Sequence, residues 1–254
     1  MYLSFTIPHA GGWTDTNKEQ GNPVPTDGEY EKHEDWPDVE KDHASVITYM
    51  DDYVGQLMRK LQEKEMDDNT IVLFASDNGA HLEGGHSYTF FNSTGGLRGH
   101  KRSMFEGGHR SPSLVRWPGH VPAGTISEEQ WAFWDVLPTL AELAGVPSNK
   151  LPPHLNGRSI VPILLGKHSP PQTYLYFTGA SSWVETNPKK VKMLAESGMK
   201  NTAYAIRSGR WKGVVASCSG TPNLNDEMHL FDLLEDPFET INIANSYPEQ
   251  VDAL

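Results

Sequence analysis

Ile71-Val72-Leu73-Phe74-Ala75-Ser76-Asp77-Asn78-Gly79 is the stretch on which the reading of the whole chain turns. Its first five residues are apolar and rich in strand formers, with turn residues on both sides. That pattern predicts a short strand buried on both faces, as in a parallel sheet. Asp77 and Asn78 follow at its C-terminal end. In open α/β sheets ligands gather beyond that end, so the pair stands where chemistry happens. A carboxylate and an amide oxygen are hard ligands suited to Ca²⁺ or Mg²⁺. Asp-Asn-Gly is also one of the commonest turn tripeptides. On the residues alone both readings stand.

Upstream, Ile47, Met50, Val54, Leu57 and Leu61 recur at helical spacing and predict a helix over about 42–65, its apolar stripe on the sheet. Gly55 weakens it, and Asp67-Asp68-Asn69 ends it. Residues 10–41, rich in Gly, Pro, Asp, Glu and Trp, read as a long surface loop of the kind that often carries function. Met1 to Ile7 reads as a buried strand running into a Pro8-His9 loop. It lacks the basic and apolar regions of a signal peptide. A chain that opens in mid-strand reads as a truncated product, with one side of its sheet exposed and poor solubility expected.

Downstream, residues 80–112 are rich in Gly and His. The run from Leu97 to Arg110 sets Arg98, Lys101 and Arg110 beside a single Glu106, among glycines that allow close backbone approach. Such a loop suits a tetrahedral anion, with Lys as a point charge and Arg as a fork of donors. A solvated basic loop braced by Glu106 fits the same residues. His9, His81 and His86 taken singly are ordinary structural histidines, but three near one strand end draw interest. Ser113 to Trp117 predicts a strand ended by Pro118-Gly119. Asp135 is expected to cap a helix over 136–144, stopped by Gly145. The Trp131–Trp134 region reads as core. Strand-like pieces at 173–177, 203–207, 211–215 and 229–233 predict a small antiparallel sheet.

Composition narrows the partners. The 254 residues are 37% hydrophobic, ample for a core. A net charge of −12 leaves no basic footprint for nucleic acid and no attraction to anionic lipid. No apolar stretch reaches the roughly 20 residues that span a bilayer. The single cysteine, Cys218, excludes an intrachain disulfide and a Cys-based zinc site. The sequon Asn92-Ser93-Thr94 is a triplet that chance often supplies.

Ordered along the chain, the motifs resemble the sulfatases. They are Ser76-Asp77-Asn78-Gly79, Leu97-Arg98-Gly99-x-Lys101, Phe105-Glu106-Gly107-Gly108-x-Arg110-x-Pro112 and Arg116-Trp117-Pro118-Gly119. Asp135-x-x-Pro138-Thr139-Leu140, Asn156-Gly157-Arg158-Ser159, Ile206-Arg207 with Trp211-Lys212, and Leu230-Phe231-Asp232-Leu233 with Asp236-Pro237 continue the pattern. Each piece alone is weak; their order and spacing are specific. The resemblance implies an alkaline-phosphatase-like α/β fold. Residues 1–165 would be the later part of the catalytic domain and 166–254 a smaller antiparallel-sheet α+β subdomain. It implies a sulfuric ester hydrolase that uses one calcium ion and a formylglycine nucleophile. Asp77 and Asn78 are then metal ligands, Lys101 the sulfate-binding lysine and His9 the proton donor to the leaving alcohol. Arg98, Glu106 and Arg110 would brace the lysine loop.

The departures are equally specific. The motif C-x-[PA]-x-R, from which formylglycine arises, is absent, and Cys218 in Ser217-Cys218-Ser219-Gly220-Thr221 cannot replace it. No nucleophile is therefore expected in this chain, and the chain alone is expected to be inactive. A sulfated sugar is the favoured substrate, and export the favoured location. The alternatives are a noncatalytic binding protein of this fold and a phosphatase or phosphodiesterase of the same superfamily.

Overall fold

The computed structural model describes residues 1–11, 21–168, 174–180, 202–217 and 227–254. Cys218 and the first residue of the expected strand at 173–177 lie outside them. Helix α1 (Asp38–Glu63) starts directly after Pro37, whose carbonyl accepts from the amides of Glu40 and Lys41 at 3.0 and 3.2 Å. It begins about a turn before the expected start at residue 42. Its fully buried residues are Glu40, His43, Ala44, Ser45 and Val46, whereas Ile47 is exposed. The best-covered part of the helix is thus a polar end, not the stripe.

Strands β1 (Val72–Ala75) and β2 (Ser113–Arg116) pair antiparallel, Val72 opposite Arg116 and Ala75 opposite Ser113. The expectation of a parallel pairing for β1 is corrected here, and the strand is half-buried rather than buried. An apolar run has the same composition whichever way its neighbour points, so direction is not encoded in it. The expected first strand is also absent. Met1 to Thr6 are exposed and pair with no other strand among the described residues. A strand exists only through its ladder.

Helices α2 (Glu106–His109), α3 (Val136–Leu143) and α4 (Val161–Leu164) lead to the second sheet. There β3 (Leu175–Ala180), β4 (Thr202–Ser208), β5 (Trp211–Ser217) and β6 (Met228–Asp232) form an antiparallel meander, as expected. Helix α5 (Pro248–Ala253) closes the chain. Asp135 does precede α3, but its carboxylate caps other amides, those of Ala132 (2.8 Å) and Arg158 (2.9 Å). Gly145 ends the helix with a positive φ of 69°, a conformation glycine adopts freely. Phe133 and Trp134 are exposed, against their reading as core, while Asp135 and Thr139 beside them are buried.

The core sits on the second sheet. Met104 and Phe105, from the loop before α2, insert among Ala203, Ala205, Val214 and Phe231. Phe105 meets Phe231 edge to face at 6.0 Å. Full burial of each ring is worth about 1.5–3 kcal/mol. Directly beside them lies a buried ionic latch. Lys212 is 2.9 Å from a carboxylate oxygen of Glu106 and 2.9 Å from one of Glu239. Arg207 meets Glu106 at 2.7 Å. Burial alone would raise Glu106, but His109, Lys212 and Arg207 hold it well below the usual carboxylate range. Burial holds Glu239 above that range despite Lys212.

Candidate active site

Backbone contacts dock the two loops that carry the candidate residues. The amide of Gly79 donates to Gly108 at 3.0 Å, and that of Lys101 donates to Ala80 at 2.7 Å. A Cβ at Gly79 would lie 1.9 Å from the carbonyl oxygen of Gly107, so this approach requires glycine. The end of β1 and the lysine loop are therefore one rigid unit. Met104 and Phe105 fix that unit to the second sheet.

Lys101 reaches across this unit to His9, 92 residues away in sequence, with Nζ 2.7 Å from Nε2. The other ring nitrogen, Nδ1, is 2.7 Å from the carbonyl oxygen of Ala10. A carbonyl only accepts, so the hydrogen-bond partners assign the proton to Nδ1 and leave Nε2 as acceptor for the ammonium. The His9 turn is itself anchored. Buried Asn22 donates to the carbonyls of Pro8 (3.1 Å) and His9 (3.3 Å), and the amide of Gly21 donates to Gly84 (2.9 Å).

Between His9 and Lys101 stands Glu83, which the sequence reading missed. Its carboxylate lies 3.0 Å from Lys101, 3.4 Å from His9 and 2.9 Å from Arg102. The signal was present in His81-x-Glu83-Gly84-Gly85-x, where a lone acid sits between a histidine and a glycine pair. Behind it lies a buried histidine stack. His81 stacks on His9 at 6.2 Å, and His43 stacks on His86 at 3.7 Å with His81 edge-on at 5.4 Å. His86 Nδ1 is 2.5 Å from Glu40, whose other oxygen accepts from the amide of Ser87 at 2.9 Å. Burial, then the neighbouring rings, pushes His43 down to about 3. Burial likewise lowers His81.

Asp77 is exposed at the loop apex. Asn78 donates its amide nitrogen to the carbonyl of Gly79 at 2.9 Å, a bond that does not use its side-chain oxygen. Two hard oxygens on adjacent residues fit calcium in kind, but calcium takes about 6–8. No group of three acidic, His or Cys side chains among the described residues is arranged to hold a metal. Arg98 lies over the Phe105 ring at 3.8 Å and donates to the carbonyl of Glu239 at 2.7 Å, so it ties the lysine loop to the second sheet. Glu106 points into the latch. Arg110 reaches outward to Glu128 at 3.8 Å.

A family model described as Sulfatase matches residues 1–146, and one described as N-sulphoglucosamine sulphohydrolase, C-terminal, matches residues 98–252. Steryl-sulfatase of Rattus norvegicus is 33% identical over 208 residues, which cover 78% of this chain and 35% of that protein. N-acetylgalactosamine-6-sulfatase of Homo sapiens is 29% identical over 232 residues, covering 84% and 41% respectively. A solved structure of i-CgsB in complex with k-i-k-neocarrahexaose superposes with a TM-score of 0.64 at 25% identity, covering 88% of this chain and 44% of that one. The chain thus spans 35–44% of the length of these relatives. The fold is of the alkaline-phosphatase-like type, with the four-stranded antiparallel sheet as its smaller part. Motif order, both family models and these relatives converge: the chain belongs to the sulfatases, a family of sulfuric ester hydrolases.

Proposed function

We propose that this chain is the sulfate-binding and leaving-group half of an exported sulfate-ester hydrolase, its residues falling into a part at 1–165 and a smaller part at 166–254. The observation that carries the reading is the 2.7 Å contact between Lys101 and His9. Two groups so far apart in sequence meet where the amide of Lys101 docks on Ala80, in the loop that follows Asp77 and Asn78. Lys101 would meet an ester oxygen of the sulfate and offset its charge. His9 would serve the leaving alcohol. At rest its Nε2 accepts from the Lys101 ammonium, so His9 would take up a proton there before passing it to the alcohol, and Lys101 would keep its charge for the sulfate. Asp77 and Asn78 would supply two calcium ligands. When bound, calcium withdraws charge from the sulfate oxygens.

The nucleophile would come from outside these 254 residues, because Cys218 has neither the Pro or Ala nor the Arg of the formylglycine motif. A sulfated carbohydrate is the substrate class. The relatives named for N-acetylgalactosamine-6-sulfate and crystallised with neocarrahexaose support it. So does the aromatic wall of Tyr30, His33, Trp36, Phe90 and Phe91 that runs outward from His86.

The test is hydrolysis of an aryl sulfate by the protein together with its nucleophile segment. Activity that needs calcium and is lost in His9→Gln supports the reading. A full-length protein that binds sulfated glycan yet never turns it over would instead establish the noncatalytic alternative.

A further inference from the structure

An ammonium group has three donors. In Lys101 one faces His9 Nε2 at 2.7 Å and one faces Glu83 at 3.0 Å. A tetrahedral nitrogen with two directions spoken for has its third direction set. Glu83 is itself held firmly. One of its oxygens takes Arg102 at 2.9 Å, and its backbone amide donates to His81 Nδ1 at 3.2 Å. The next residue, Gly84, accepts from Gly21 at 2.9 Å. The side chain is only 13% exposed, which leaves the carboxylate little choice of partner. Burial would raise Glu83, but the hydrogen bond and charge of Lys101, followed by Arg102 and His9, hold it below the usual range, so it is an anion at neutral pH.

We propose that Glu83 is a positioning residue: its carboxylate pins the Lys101 ammonium against His9 Nε2 and thereby aims the remaining N–H at the incoming sulfate. What that third donor meets rests on the sulfatase reading of Lys101; the three-way geometry of Glu83, Lys101 and His9 does not. Glu83 touches neither the alcohol nor the sulfur and acts through Lys101 alone. The role explains why a carboxylate, which repels a sulfate, stands this close to a sulfate site. Its charge is spent on the three groups around it.

The experiment is nitrogen-15 NMR of the histidine side chains in the 254-residue chain, with His9 assigned by its loss in His9→Gln. In the wild type His9 is expected to carry its proton on Nδ1, with Nε2 as acceptor. Glu83→Gln removes the charge that pins Lys101. The His9 signals should move toward the Nε2-protonated tautomer, while those of buried His43 and His86 stay put. Unchanged His9 signals in a folded Glu83→Gln protein would overturn the proposal. If Glu83→Gln fails to fold, Glu83→Asp takes its place, since it keeps the charge on a shorter arm. A partial shift is expected there, and none again overturns it. In the enzyme with its nucleophile, Glu83→Gln should lower kcat on an aryl sulfate about 100-fold with KM little moved. A rise in KM with kcat intact would assign Glu83 to ground-state binding and defeat the positioning role. A wild-type enzyme without sulfatase activity but with the same NMR response would sink the functional reading and leave the geometry standing.

Discussion

Lys101 and Lys212 use the same chemistry to opposite ends. Lys212 is fully buried, with a carboxylate on either side and Arg207 and His109 close by. Lys101 keeps 13% of its side chain exposed, shares one carboxylate with Arg102 and His9, and retains a donor beyond the two contacts named above. The first arrangement is saturated, so it fastens the lysine loop to the second sheet. The second leaves one N–H of Lys101 beyond its contacts with His9 and Glu83, so it has capacity for an anion that is not part of the protein. A lysine therefore reads as a fastening when carboxylates close around it and as a site when a donor is left over.

The sharpest way to break this comparison is to remove each lysine. Lys212→Met leaves Glu239 buried without its cation and Glu106 with Arg207 alone. A broken buried pair costs about 3–5 kcal/mol. Urea unfolding should show that loss in the midpoint with the slope unchanged. Lys101→Met should leave the midpoint almost where it was. In the complete enzyme it should lower kcat on an aryl sulfate by about 10²–10³, roughly 2.7–4 kcal/mol of lost charge stabilisation. A Lys101→Met protein as unstable as Lys212→Met would show that both lysines are fastenings.

A milder change tests whether the site depends on the docking of its two loops. Gly79→Ala places a methyl group 1.9 Å from the carbonyl oxygen of Gly107, a backbone atom with no room to yield. Overpacking of this kind costs about 1–3 kcal/mol. The lysine loop should separate from the end of β1. Activity should fall with stability while Phe105 and Phe231 stay packed, as near-ultraviolet dichroism would show. Full activity in Gly79→Ala would detach the site from the docking.

The second sheet was legible because each of its strands carries its own local signature. Ala203 to Arg207 and Trp211 to Val215 are strand formers joined across Gly209-Arg210, and an antiparallel meander needs only neighbours in sequence. Asp77, Asn78 and Lys101 came to notice through motifs that run along one stretch of sequence, and their roles belong to the proposal. The direction of β1 and the fate of Met1 to Ile7 were not, since both depend on a partner strand that an apolar run does not name. Glu83, Glu40 and His43 were invisible for a related reason. Glu40 finds His86 across 46 residues, and such long-range pairs leave no period in the sequence. The polar first turn of α1 therefore reads as the end of the surface loop over 10–41, when it opens the most buried part of the helix.

Acid should separate the two regions in time. His43 sits at about 3, down from 6.5, because its buried ring folds in neutral form. In the unfolded chain it titrates near its ordinary value, so the unfolded state binds the extra proton first. The contribution of His43 is whole above pH 6.5 and falls as pH drops toward 3, by about 1.4 kcal/mol per pH unit, and the neighbouring Asp42, raised to about 6 by burial and then Asp27, offsets part of it below pH 6. Glu106 in the latch is depressed below its ordinary 4.5, so its contribution is whole above that value and is lost only as pH falls further. Between pH 6.5 and 4.5 the histidine stack next to His9 should therefore loosen while the Glu106 ion pairs hold, and His109, which burial also lowers, is the one latch group that weakens in the same direction. Hydrogen exchange in that window should quicken first in peptides from the start of α1 and from the His81–His86 loop, and last in β5. His43→Phe keeps a ring on His86 without a titrating nitrogen and should make the slope shallower, the part that remains belonging to the other lowered histidines, His81, His100 and His109. Parallel pH curves for wild type and His43→Phe, or exchange that starts in β5, would mean that the latch is the weaker region.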